Sequence, residues 1–110
     1  MIAVSGEVKG RDCVVVEDII TTGGTVSKLA QSLHRQRANR VLIAATHPIL
    51  TGDALARLKK ANVEEVIVTD SVPIPPESLG PPLTVLSVAP LLAEAIIRVH
   101  ENRSVSELFR

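Results

Sequence analysis

The stretch Cys13-Val14-Val15-Val16-Glu17-Asp18-Ile19-Ile20-Thr21-Thr22-Gly23-Gly24-Thr25 decides how this chain is read. An apolar run ends in two acids. Two threonines, two glycines and a third threonine follow, and a helical pattern then begins. Cys13 to Glu17 has the composition of a buried strand, and an unbroken apolar strand is expected where both faces of a sheet are covered. The loop opens onto a helix N-terminus, where free backbone N–H groups and the positive end of the helix dipole suit a phosphate. The carboxylates beside it suit ribose hydroxyls or a hydrated Mg2+. Phosphate and sugar recognised side by side point to a sugar-phosphate site.

Downstream, the periodicity predicts a helix from about Thr25 to Arg37, with Val26, Leu29, Ala30 and Leu33 on one apolar stripe. Val41 to Thr46 reads as a second buried strand ending at His47-Pro48. Thr51-Gly52-Asp53 looks like a helix start, with Ala54, Leu55 and Leu58 as its apolar face and Lys59-Lys60 at its C-terminal end. Glu65 to Thr69 reads as a third strand, stopped at Asp70-Ser71. Five prolines between Val72 and Pro82 exclude a helix or central strand there. Leu83 to Ser87 is a fourth strand. Pro90 suits the first turn of a last helix, striped by Leu92, Ala95, Ile96 and Val99. Ser104-Val105-Ser106-Glu107 has capping-box spacing, so Leu108 and Phe109 are expected to begin one more short turn.

Strands alternating with helices imply a parallel sheet with right-handed crossovers. In such sheets ligands bind beyond the carboxyl ends of the strands. Glu17-Asp18, Thr46-His47 and Asp70-Ser71 occupy three such ends and should share one edge. His47 either lines that crevice or satisfies backbone groups before Pro48. Asp70 either reaches a ligand or caps the following turn.

The whole chain narrows the classes. Its 110 residues allow one domain, and 45% apolar content makes it globular. Twelve basic and twelve acidic residues cancel, so no field favours nucleic acid or an anionic membrane. Phe109 is the one aromatic residue, which leaves no stacking platform for single strands. No apolar stretch reaches the ~20 residues that span a bilayer. Met1-Ile2-Ala3-Val4 lacks the features of a signal peptide. A lone cysteine, Cys13, excludes an internal disulfide and makes a cytoplasmic setting the default. No His and Cys spacing suggests structural zinc.

With these residues in view, the chain resembles the ribose-phosphate pyrophosphokinase (phosphoribosyl pyrophosphate synthetase) family, and more broadly the type I phosphoribosyltransferases. Two acids, a short gap and Thr-Gly-Gly-Thr form the signature loop of that superfamily, here Glu17 through Thr25. Similar to the synthetases are Gly6-Glu7-Val8-Lys9-Gly10, Ala45-Thr46-His47 with Thr51-Gly52-Asp53-Ala54-Leu55, and Val68-Thr69-Asp70-Ser71-Val72-Pro73. The tail is similar too, from Leu86-Ser87-Val88-Ala89-Pro90 through Ile97-Arg98-Val99-His100 to Ser104-Val105-Ser106-Glu107-Leu108-Phe109. The resemblance covers nearly the whole chain, but only the C-terminal third or so of such an enzyme.

The resemblance implies an α/β fold, a Rossmann-like parallel sheet with flanking helices of the type I phosphoribosyltransferase kind, over residues 1–110. It implies transfer of the β,γ-diphosphoryl group of ATP to the 1-hydroxyl of ribose 5-phosphate with Mg2+. The 5-phosphate would sit on Thr21, Thr22, Gly23, Gly24 and Thr25. Glu17 and Asp18 would serve catalysis, the ribose hydroxyls and Mg2+. Such enzymes assemble into oligomers, so self-association or pairing with an N-terminal part that binds ATP is expected. Two positions depart from the synthetases, which usually carry aspartate in place of Thr21 and of Glu17. Thr21 gives the loop a transferase look. The rival readings are a phosphoribosyltransferase that joins a base to phosphoribosyl pyrophosphate, and a non-catalytic subunit that pairs with a full-length relative.

Overall fold

A computed structural model describes residues 6–109 of the chain, so the Met1-Ile2-Ala3-Val4 start lies outside the described residues. The elements alternate: β1 (Cys13–Ile20), α1 (Gly24–Arg35), β2 (Val41–Pro48), α2 (Ala54–Lys60), β3 (Glu65–Thr69), β4 (Leu83–Leu86) and α3 (Ala89–His100). All neighbouring strands are parallel and lie in the order β1-β2-β3-β4. The expected α/β architecture is therefore the one observed. The proline-rich link from β3 to β4 holds only a short 3-10 turn, Pro76–Ser78.

Strand alternation and register sort the sheet into two unlike faces. Val15, Ile43, Val66 and Leu83 stand in one row across the four strands, and all are buried. Above this face lie Val26, Ala30 and Leu33 of α1 and Ala54 and Leu58 of α2, each at most 5% exposed. The two helices also touch each other. On the other face Val14, Val16 and Leu86 are 59%, 78% and 57% exposed. The expectation that the apolar first strand is covered on both sides is thus corrected. The reason is topological. Right-handed crossovers between strands laid down in one direction all fall on the same side of the sheet.

Three local readings also change. β1 continues through Ile20 because β2 runs to Pro48, and the two strands pair at Ile19–His47 and Ile20–Pro48. Glu17 and Asp18 consequently lie inside the strand rather than at its end. No residue of α3 is buried, and its stripe of Leu92, Ile96 and Val99 is more than half exposed. The tail forms a 3-10 turn over Ser106–Phe109 without a capping box: Ser104 bonds Ser106 through their hydroxyls, while Glu107 pairs with Arg98 at 3.0 Å.

The base of β1 is fastened by Asp12. Its carboxylate accepts from Asn39 Nδ2 at 2.8 Å, Arg40 Nη2 at 2.8 Å, Arg40 Nε at 3.2 Å and the Arg40 backbone at 3.2 Å. The Arg40 side chain first, and Asn39 second, hold the Asp12 carboxyl down at about 2, against 3.8 for an ordinary aspartate. Folding lowers this pKa, so the folded state binds the proton less tightly than the unfolded chain. The linked stability is present above about 3.8 and disappears as pH falls toward about 2. Urea unfolding at stepped pH should show this loss in the parent chain and a flatter profile in Asp12→Asn. Identical acid profiles would show that the tie contributes nothing.

Candidate functional site

The helix α1 starts without a side-chain cap. Its N-cap is Gly23 in the left-handed conformation, φ 78° and ψ 5°. An α-helix has no internal acceptors for its first N–H groups. At this end Gly24 N–H reaches only the Thr22 hydroxyl, at 3.3 Å, while Ser27 N–H closes the first helical turn on Gly23 O at 2.9 Å. The hydroxyl of Ser27, a buried residue, donates to Gly24 O at 2.9 Å, which fixes the peptide planes of the turn. The result is a rigid, uncapped, positively polarised turn facing Thr21, Thr22 and Thr25, which are exposed.

These residues line one cleft with Glu17, Ile19, Ile20 and Val26, about 260 Å3 in volume. Glu17 is half-buried and shares the covered face of the sheet with Val15. Asp18 is exposed and does not line the cleft. The structure therefore brings Glu17, Thr21, Thr22, Gly23, Gly24 and Thr25 together and sets Asp18 apart from them.

The loop after β2 is tied to this turn. Leu50 N–H donates to Ile20 O at 3.1 Å and Thr51 N–H to Thr21 O at 2.9 Å. Leu50 adopts φ 52° while its side chain is buried, a strained state for a bulky residue that the surrounding bonds hold in place. Helix α2 then packs on the turn itself: a Cβ placed on Gly23 would lie 3.4 Å from Ala54 O and 3.6 Å from the Leu58 side chain.

The other strand ends converge as expected, but as a scaffold. His47 Nδ1 lies 2.8 Å from Ser71 Oγ, and both Ser71 Oγ and Thr69 Oγ1 donate to Thr46 O, at 3.0 and 2.7 Å. His47 is thus satisfied by a hydroxyl rather than by backbone. Asp70 accepts from Val88 N–H at 2.9 Å, so it fastens β3 to the start of α3. That bond, with a second from Ser87, draws its carboxyl below the usual aspartate value. Arg57, which the sequence analysis does not single out, lies beside the turn though not in the lining of the cleft. Its Nη1 lies 3.6 Å from the position a Gly24 Cβ would take. The available signal was its place three residues after Ala54 and one before Leu58, the two α2 residues packed beneath the turn.

Comparison with known proteins follows the same lines. The family model for the phosphoribosyl synthetase-associated domain matches residues 1–110. Ribose-phosphate pyrophosphokinase of Mycobacterium leprae is 51% identical over 106 residues, 96% of this chain and 32% of the relative. That of Bifidobacterium longum is 50% identical over 106 residues, 96% of this chain and 31% of the relative. The crystal structure of phosphoribosylpyrophosphate synthetase from Mycobacterium smegmatis superposes with a TM-score of 0.84 at 46% identity, covering 89% of this chain and 33% of that one. The chain spans about a third of the length of the curated relatives it matches.

The two glycines of the turn should behave differently. Gly23→Ala forces a side chain into left-handed backbone against a carbonyl, a cost of about 1–2 kcal/mol. Gly24 has ordinary room for a Cβ and no positive φ, so Gly24→Ala should be neutral or slightly stabilising. Urea denaturation of both variants checks this, and equal stabilities would contradict the assigned geometry.

Proposed function

The chain belongs to the ribose-phosphate pyrophosphokinase family, and we propose that it is the part of such an enzyme that holds ribose 5-phosphate. The observation that carries this reading is the cleft in which an uncapped helix N-terminus, three threonines and the acid Glu17 meet. A phosphate placed at residues 21–25 receives backbone N–H and hydroxyl donors together with the helix dipole. The sugar then extends toward Glu17, whose carboxylate accepts from ribose hydroxyls. Asp18 stands outside the lining of that cleft. On this reading the reaction is ATP plus ribose 5-phosphate to phosphoribosyl pyrophosphate plus AMP, with ATP held by the part of such an enzyme that this chain, about a third of its relatives' length, does not span.

The residues fit Mg2+ only in one manner. Among the described residues no three His, Cys, Asp or Glu side chains cluster to hold a metal. One or two carboxylates suit a hydrated ion completed by substrate oxygens, as Mg2+ prefers. When bound, it supplies charge neutralisation for the diphosphate, while this chain's residues bind and orient the acceptor sugar. A cytoplasmic setting suits the free, half-buried Cys13, and among the described residues no helix is long and apolar enough to cross a membrane.

Self-association is part of the same proposal. The bare sheet face presents Val14, Val16 and Leu86, and α3 presents Leu92, Ile96 and Val99, all exposed within one chain. Apolar area of this kind is costly in water and is covered by partners. A second copy offers both halves of the needed complement.

Calorimetry with ribose 5-phosphate and Mg2+ tests the site. The parent chain should bind, and folded Gly24→Val should bind at least tenfold more weakly because its side chain occupies the anion's approach. Unchanged affinity in that variant would remove the loop from the site. Sedimentation at micromolar concentration tests the association: the parent should be a dimer or larger, and Val16→Lys with Leu86→Lys should shift it to monomer. A strictly monomeric parent would refute the second part.

A further inference from the structure

The phosphate turn contains no cation of its own. Residues 21–25 are threonine and glycine, and the next base along the chain, Lys28, is exposed on α1. A phosphate monoester carries close to two negative charges at neutral pH, more than a helix terminus worth about half a charge can balance. The missing charge is present 32 positions further on, at Arg57.

We propose that Arg57 of α2 is a phosphate-binding residue that closes over the turn and pairs with the phosphate seated there. This rests on the reading of residues 21–25 as a phosphate site, and adds a residue from a separate element. Three observations place the guanidinium. Its Nη1 is 3.6 Å from where a Gly24 Cβ would stand, and the Thr22 hydroxyl is 3.5 Å from the same point. The helix that carries it is registered on the turn through Ala54 O and Leu58 against Gly23. The segment leading into that helix is bonded to the turn through Leu50–Ile20 and Thr51–Thr21. The backbone that carries Arg57 is therefore tied to the turn, while its side chain is free to swing.

The guanidinium is also available. Its carboxylate neighbour among the described residues is Asp53, at 3.5 Å, with the two side chains 43% and 74% exposed. A pair so long and so solvated holds its partners weakly. A phosphate at the turn offers Arg57 a shorter, two-pronged partner, because the planar fork matches two phosphate oxygens at once. Asp53 then serves as a resting counter-ion that the ligand displaces.

The test is titration of the full chain by calorimetry with ribose 5-phosphate, and with inorganic phosphate as the sugar-free probe. The parent should bind ribose 5-phosphate. Arg57→Ala should weaken both ligands about ten- to a hundredfold, the range for a hydrogen bond to a charged group. Arg57→Lys should recover part of the loss, since it restores charge but not the fork. Asp53→Asn, which frees the arginine, should bind as tightly as the parent or more tightly. The affinity should also become less dependent on salt in Arg57→Ala, a readout that a packing role would not move. A folded Arg57→Ala chain with parent-like affinity for both ligands overturns the role of Arg57 and leaves the loop reading standing. Should Arg57→Ala not fold, parent-like affinity of Arg57→Lys for both ligands overturns it equally. Absence of any binding by the parent overturns the loop reading and this inference together.

Discussion

Two right-handed crossovers, run in the same direction along the sheet, govern everything else in this molecule. They lay α1 and α2 side by side on one face and leave the other without cover. They also bring the N-terminus of α1 and the side of α2 over the carboxyl ends of β1 and β2, where open α/β sheets bind ligands. The cleft, the cation beside it and the bare face are three results of one handedness rule. A sheet whose strand order reversed would divide its helices between the faces, and the crevice would open at the reversal.

Within that frame the turn at residues 21–25 is held from outside rather than by its own side chains. Gly23 supplies a backbone state that other residues resist, and its lack of a side chain lets α2 approach to contact. Leu50 accepts an unfavourable φ so that its N–H reaches Ile20 while its side chain fills the core. The backbone donors of the turn are left free because neighbouring elements do the holding. Preorganisation of this kind would spare a ligand the cost of ordering the loop.

Much of this could be read from residue order. The four strands, the three helices and the signature loop were legible because each has a local signal: apolar runs of strand length, stripes at helical spacing, and glycines at a tight turn. The family model matches over residues 1–110. What escaped was non-local. The extension of β1 to Ile20 depends on pairing with residues 28 positions away, Pro48 being its partner. That Glu17 lines the cleft and Asp18 does not is likewise a matter of how the folded strand sits against the turn. Arg57 carries no local signal in the sequence, and only the docking of Ala54 and Leu58 places it beside the turn. The bare face was misread because an apolar side chain records a preference for burial, not the identity of what covers it.

Helix α3 carries one more consequence. It contributes no buried residue, is fastened at its start by Asp70, bonds through Arg98 near its end to the tail that follows it, and otherwise lies in solvent. A helix of 12 residues has little stability of its own in water, because nucleation is unfavourable and packing normally supplies the difference. Its backbone amides therefore belong to the least protected class of the molecule, opening without disturbing the sheet, while those of β2 at the centre exchange only on global unfolding. Covering the stripe of Leu92, Ile96 and Val99 moves α3 from the first class to the second. The order of this helix is thus a thermodynamic register of whether the chain is alone.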